Sequence, residues 1–213
     1  MNVVAEKKGS RGSNVSKRID YLKQKDVKLA RVIEEVGAKL RIQRRGPHFE
    51  VLCRSIVGQQ LSTKAAHTIF ERMQKLTEIS PEGVGSLKPE QLRGIGLSAR
   101  KVEYLKDLAH KFSSKLISEE GLKKLEDDEV VKLLTGIRGI GPWTAEMFLI
   151  FALGRPNVFS VDDMGLRRAM EKLYSNGKSL PTKELVRIAS RWSPYRSVAC
   201  LYLWKWYDGV DGL

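Results

Sequence analysis

The sequence predicts an all-α fold, and three observations carry that reading. Apolar residues recur at helical spacing along most of the chain. No stretch alternates apolar and polar residues convincingly enough to make a strand. The joints between periodic stretches are short and marked by Gly, Pro, Ser or Asp. The elements follow in order. "DVKLARVIEEVGAKL" (26–40) opens on Asp26 as N-cap and places Leu29, Ala30, Ile33 and Leu40 on one face. "PHFEVLCRSIVG" (47–58) spaces Phe49, Leu52, Cys53 and Ile56 helically and stops at Gly58. "STKAAHTIFERMQKL" (62–76) restarts with Ser62 as cap and buries Ala65, Ala66, Ile69, Phe70 and Met73. "SARKVEYLKDLAHKF" (98–112) starts at Ser98 and aligns Val102, Leu105, Leu108, Ala109 and Phe112. "DDEVVKLLTGI" (127–137) comes next, and "PWTAEMFLIFAL" (142–153) has Pro142 in a first-turn position, where a missing N–H costs nothing. "TKELVRIASRW" and "YRSVACLYLWKWY" close the series.

With 213 residues the chain can form one large domain or two small lobes. Its net charge of +13 and pI near 9.8 suit a polyanionic partner such as DNA, RNA or an anionic membrane, although many basic proteins are merely soluble. The two cysteines, Cys53 and Cys200, sit among apolar neighbours and read as buried thiols, with no cluster for zinc or iron–sulfur. His48, His67 and His110 are scattered and make no metal-ligand pattern. The N-terminus lacks the apolar core of a signal peptide, and no apolar run reaches membrane-spanning length. An intracellular, soluble protein is the expectation, with residues 1–16 a disordered basic tail.

One internal echo stands out. "LRGIGLSARKVEYL" (92–105) and "IRGIGPWTAEMFL" (137–149) each place a Gly-Ile-Gly turn before a helix. Gly139 and Gly141 allow positive φ and close backbone approach. Such a turn feeds a helix N-terminus whose free amides and dipole can hold a phosphate without reading bases. A tight interhelical turn with no ligand explains a single Gly-x-Gly equally well, but the basic charge favours phosphate. Beyond the helix, "SVDD" is a capping pattern, with Ser160 as cap and Asp163 at the third helical position. Taken alone, that pattern favours capping over chemistry.

"LLTGIRGIGPWTAEMFLIFALGRPNVFSVDDMGLRRA" (133–169) resembles the helix-hairpin-helix motif and the Gly/Pro-rich loop ending in Asp of the HhH-GPD DNA glycosylases, most closely their AlkA-like branch, 3-methyladenine DNA glycosylase II. "SIVGQQLSTKAA" (55–66), "LRGIGLSARKVEYLKDLA" (92–109) and "RWSPYRSVACLYLWKW" (191–206) agree, in the right order, across most of residues 45–207. The chain is too short for the N-terminal mixed α/β domain of some AlkA proteins, so the compact form is implied. The resemblance implies two helical lobes with a DNA-binding cleft between them. Lobe A would be roughly residues 17–60 plus 163–213, and lobe B roughly 61–162 with the hairpin.

The implied activity is hydrolysis of the N-glycosidic bond of alkylated purines, of the 3-methyladenine and 7-methylguanine type, flipped out of double-stranded DNA. By the same resemblance Asp163 is the catalytic carboxylate, with Asp162 the second choice. Trp143 and Trp204 line the base pocket, with Phe49 and Tyr195 weaker candidates that core packing explains as well. Met147 stands where some relatives have an aromatic. Gly139, Ile140, Gly141 and Thr144 form the DNA-backbone hairpin. Gln60, Leu61 and Ser62 form the intercalating wedge, with Gln60 the first choice and Leu61 the second, while Ser62 also reads as the next helix's cap. Arg100, Lys101, Arg155, Arg167 and Arg196 are candidate phosphate holders. Lyase-competent relatives carry a lysine nucleophile where this chain has Trp143, so no AP-lyase activity is expected. No catalytic metal or cofactor is implied, beyond a monovalent cation on hairpin carbonyls near Gly136 and Gly139. A monomer without a membrane partner is expected. The competing reading is a catalytically weak paralogue that binds abasic or distorted DNA.

Overall fold

Side chains and glycines at several joints set where helices begin and end. The computed structural model describes residues 4–5, 12–37, 39–42 and 46–208. In chain order the elements are β1 (Val4–Ala5), α1 (Gly12–Lys25), α2 (Val27–Val36), β2 (Leu40–Arg41), α3 (His48–Gly58), α4 (Thr63–Leu76), α5 (Pro81–Ser86), α6 (Pro89–Gly94), α7 (Ala99–Ser113), α8 (Glu119–Lys124), α9 (Asp127–Thr135), α10 (Pro142–Phe148), a π-helical extension of α10 (Leu149–Leu153), α11 (Met164–Ser175), α12 (Thr182–Ser190) and α13 (Arg196–Tyr207). Among the described residues the fold is all-α apart from one antiparallel pairing, in which Val4 faces Arg41 and Ala5 faces Leu40.

The chain divides into two units. The first comprises the described residues of Met1–Arg44 together with Gly154–Leu213. Here Asp26 N-caps α2 by accepting from the Lys28 and Leu29 amides, and Gly37 ends it at φ 65°. Leu40 therefore lies on β2 and not on the predicted helix face, because the left-handed glycine turns the chain before it. Asp26 also accepts from Tyr174 Oη at 2.7 Å and Trp192 Nε1 at 3.1 Å, so one buried carboxylate joins α2, α11 and the end of α12. Helix α13 is buried nearly all round and packs on α11 and α2.

The second unit is Arg45–Leu153. Its centre is α7, which packs against α3, α5 and α6, while α10 packs against α9 and α3. Leu52, Ile56, Met73, Leu92, Leu105, Leu108, Leu122 and Leu134 are fully enclosed and form its core. Cys53 is sealed in this unit, where burial pushes its thiol far above the usual range, and Cys200 is sealed in the other.

Two boundaries differ from the predicted lobes. Helix α3 belongs with the second unit, because its apolar face packs on α4 and α7. Residues 154–162 belong with the first unit, because Ser197 at the start of α13 ties them down: its Oγ donates to the Arg155 carbonyl and accepts from the Val158 amide. The predicted 1–16 tail lies largely outside the described residues, but α1 already begins at Gly12.

Candidate functional site

In the first unit the chain runs through Gly154–Asp163 before α11 begins. The loop is held at its base by α13. The Ser197 amide donates to the Pro156 carbonyl at 3.0 Å, and Arg196 Nε donates to Asn157 Oδ1 at 2.9 Å. Its far end delivers Asp163 to the N-cap of α11. Asp163 Oδ1 accepts from the Leu166 amide at 2.8 Å and from Trp204 Nε1 at 2.9 Å. Asp163 retains 6 % exposure and Trp204 only 2 %. Gly165 makes this arrangement fit: a Cβ there would sit 3.2 Å from Asp163 Oδ1 and 3.4 Å from Trp204 Cδ1.

This geometry corrects two expectations. Ser160 is not the helix cap, because α11 starts at Met164 and Asp163 itself takes the cap position. Trp204 presents almost no face to solvent and instead orients the carboxylate through its indole N–H. Asp162 is exposed and stands one residue before the cap. Tyr195, half-buried, is covered edge-on by Tyr21 and by the Arg18 guanidinium. Of the phosphate candidates in this unit, Arg167 spends its guanidinium on the Val161 and Leu180 carbonyls, and Arg196 spends its own on Asn157. Arg155 is half-buried.

In the second unit α9 ends at Thr135 and α10 begins at Pro142, with the hairpin between them. Gly139 has φ 80°, and a Cβ there would fall 2.1 Å from the Tyr104 ring. Glycine is obligatory there on both counts. Gly141 differs from expectation: its φ of −94° is ordinary extended backbone, and nothing lies within 4 Å of where a Cβ would stand. It is the N-cap of α10 and offers no capping side chain, and Pro142 in the first turn has no N–H to donate. Asp107 fixes the hairpin from behind by accepting from the Arg138 amide at 2.8 Å and from Lys111. Burial pushes the Asp107 carboxyl upward, but those hydrogen bonds hold it below its usual range overall.

Ile140 and Thr144, expected at the DNA backbone, are buried, at 4 % and 9 % exposure. Trp143 stands out at 44 % exposure, one residue into α10. Phe49 is a core residue, edge-on to Phe112, and Met147 is half-buried.

The turn between α3 and α4 projects Gln60 and Leu61, both exposed, and Gln60 holds the left-handed conformation at φ 57°. A non-glycine residue there is strained and needs support from its surroundings. Ser62 caps α4 through Oγ, as expected. Sequence reasoning missed Gln59, whose Nε2 donates to the Gly139 carbonyl at 2.7 Å, one of the carbonyls expected to hold a cation. Lys101, expected at phosphate, instead donates to the Val57 and Gln59 carbonyls, while Arg100 is exposed. Among the described residues no cluster of three or more His, Cys, Asp or Glu could hold a metal, and no helix is long and apolar enough to cross a membrane.

Comparison with known proteins agrees with these features. The family profile described as HhH-GPD superfamily base excision DNA repair protein matches residues 53–194. DNA-3-methyladenine glycosylase 1 of Schizosaccharomyces pombe is 34 % identical, covering 96 % of this chain and 93 % of the relative. The crystal structure of a DNA-3-methyladenine glycosidase from Bacillus halodurans superposes with a TM-score of 0.83 at 36 % identity, covering 96 % of this chain and 92 % of that one. A 3-methyladenine DNA glycosylase of S. pombe in complex with abasic DNA gives 0.77 at 33 % identity, with coverage of 89 % and 95 %. From its helices, its glycine hairpin and this match over most of its length, the chain belongs to the HhH-GPD superfamily of base excision DNA repair proteins.

Proposed function

We propose that this chain is a monofunctional DNA glycosylase that hydrolyses the N-glycosidic bond of alkylated purines in double-stranded DNA. The observation that carries this reading is the Asp163 carboxylate, held at a helix N-terminus by the Leu166 amide and the Trp204 indole. As the bond breaks, its electron pair leaves with the base and positive charge grows on the sugar. A fixed carboxylate stabilises that charge, orients the water whose oxygen bonds to C1′, and accepts the proton that this water gives up. An N-alkylated purine is already cationic and departs as a neutral base, so little acid catalysis is needed at the leaving group. The exposed Trp143 indole suits stacking on such a cation. The glycine hairpin, whose left-handed Gly139 lets the backbone come close to another surface, suits a DNA phosphate.

Capping and catalysis coexist at Asp163. The cap fixes one oxygen and the chain direction, and with them the position from which the carboxylate acts. Trp143 in place of a lysine leaves no amine at that position to form a Schiff base with the sugar, so no lyase step is included. We take the protein to act as a monomer, and a monovalent cation on the hairpin carbonyls remains part of this reading.

The test is to incubate the protein with DNA methylated to contain 3-methyladenine and 7-methylguanine and to chromatograph the released bases. Free alkylated base is expected, with no adduct trapped by borohydride. Tight binding to abasic duplex with no released base would favour the paralogue reading instead, which the S. pombe complex with abasic DNA keeps in view.

A further inference from the structure

The structure assigns Lys101 and Gln59 a role that the sequence motifs do not suggest: together they clamp the turn at residue 59, so that Gln60 and Leu61 form a rigid tip that enters the duplex. Lys101 lies in the first turn of α7 and is half-buried. Its ammonium donates to the Val57 carbonyl at 2.8 Å and to the Gln59 carbonyl at 2.6 Å. These carbonyls lie at the C-terminal end of α3, where the helix dipole is negative and the last oxygens have no helical partner. The cation therefore satisfies them and fixes where the chain leaves the helix.

The Gln59 side chain makes the second tie. Its amide reaches the Gly139 carbonyl at 2.7 Å and joins the turn to the glycine hairpin. Residue 59 is thus held at its main chain by α7 and at its side chain by the hairpin. The next residue, Gln60, sits in the left-handed region at φ 57° with an exposed side chain, and exposed Leu61 comes after it. A strained, exposed tip on a doubly tethered stem keeps its shape when it is pushed into a base stack. Burial lowers the affinity of the Lys101 ammonium for its proton, in keeping with a charge turned toward the protein and not toward phosphate.

This inference rests on the proposed function only in taking the tip as the group that enters DNA, and its test does not require base release. The probe is a duplex carrying 2-aminopurine beside an abasic-site analogue, with unstacking followed by stopped-flow fluorescence. Lys101→Met should slow the fluorescence rise by roughly 10- to 100-fold, as expected for a misplaced group. Equilibrium affinity for the same duplex should stay within about threefold, with an unchanged salt dependence. Lys101→Arg, which keeps a cation within reach of the carbonyls, should regain much of the rate. Unchanged unstacking in Lys101→Met would overturn the assignment. So would weaker binding with a salt slope reduced by about one, since that marks a phosphate ligand. If Lys101→Met does not fold, Gln59→Leu, which cuts only the tie to Gly139, should show the same slowing to a smaller degree, and an unchanged rate there would overturn the clamp. A wild-type protein that unstacks the probe but releases no alkylated base would sink the proposed function and leave the clamp standing.

Discussion

The tetrapeptide Arg-Gly-Ile-Gly occurs twice, at 93–96 and 138–141, and the two copies fold differently. At 93–96 helix α6 runs through Gly94, and Gly96 takes the positive φ, at 106°. Leu97 and Ser98 then lead into α7, and Ser98 Oγ accepts the Lys101 amide, so that helix start is closed by the protein itself. At 138–141 helix α9 has already ended, the first glycine takes the positive φ, and Gly141 caps α10 with no side chain. The two copies differ in their register against the preceding helix and in the residues on their C-terminal side. Ser98 caps one helix with its hydroxyl, whereas Gly141 gives the other no side-chain cap. A repeated motif marks a repeated shape only where its flanking helices stop at the same place.

Substitutions can break or sharpen that contrast. The largest effect should come from Gly139→Ala, which combines a left-handed backbone with a methyl driven into the Tyr104 ring. A loss of about 2–4 kcal/mol in chemical denaturation is expected, with duplex affinity falling alongside. Asp107→Asn removes the charge that holds the open hairpin and should cost about 1–2 kcal/mol in the same measurement. Because the folded-state pKa of Asp107 is depressed, its contribution is present at neutral pH and is lost as pH falls through the folded pKa, below the ordinary carboxylate value of about 4. The difference between wild type and Asp107→Asn should shrink across that acidic window. Ser98→Ala opens the closed turn and should cost about 1 kcal/mol while leaving duplex affinity unchanged. Gly141→Ala meets nothing and has ordinary φ, so stability should move by no more than about 0.5 kcal/mol. Its methyl nonetheless stands on the open face, and duplex affinity should fall several-fold. An unchanged affinity would mean that the hairpin is only a joint.

Legibility in the sequence tracks how local each cause is. Asp26, Ser62 and Ser98 act on amides two or three residues away, and their caps are visible in the spacing. The same reasoning misplaced the cap of α11 at Ser160, because whether the helix starts at Val161 or Met164 depends on the Trp204 indole that meets Asp163 from α13. Helices α5, α6 and α8, six residues each, are too short to show a period. The basic residues were the least legible. Lys101, Arg167 and Arg196 read as candidate phosphate holders, yet each tip donates to a carbonyl or a side-chain amide oxygen brought close only by folding. Gln59 escaped notice for the same reason, since its partner is 80 residues away. The repeated Gly-Ile-Gly turn was visible in the residues themselves, whereas the catalytic reading of Asp163 came from the family resemblance, and residue patterns alone would have left Asp163 to helix capping.

The central claim is that the capping carboxylate also does the chemistry, and Asp163→Asn tests it most directly. Asparagine is an equally good N-cap, so the fold and the binding of abasic duplex should persist. Under single-turnover conditions on methylated DNA, release of 3-methyladenine should fall by about 10²- to 10³-fold. Release at the wild-type rate would mean that Asp163 only caps α11 and that the reacting carboxylate lies elsewhere.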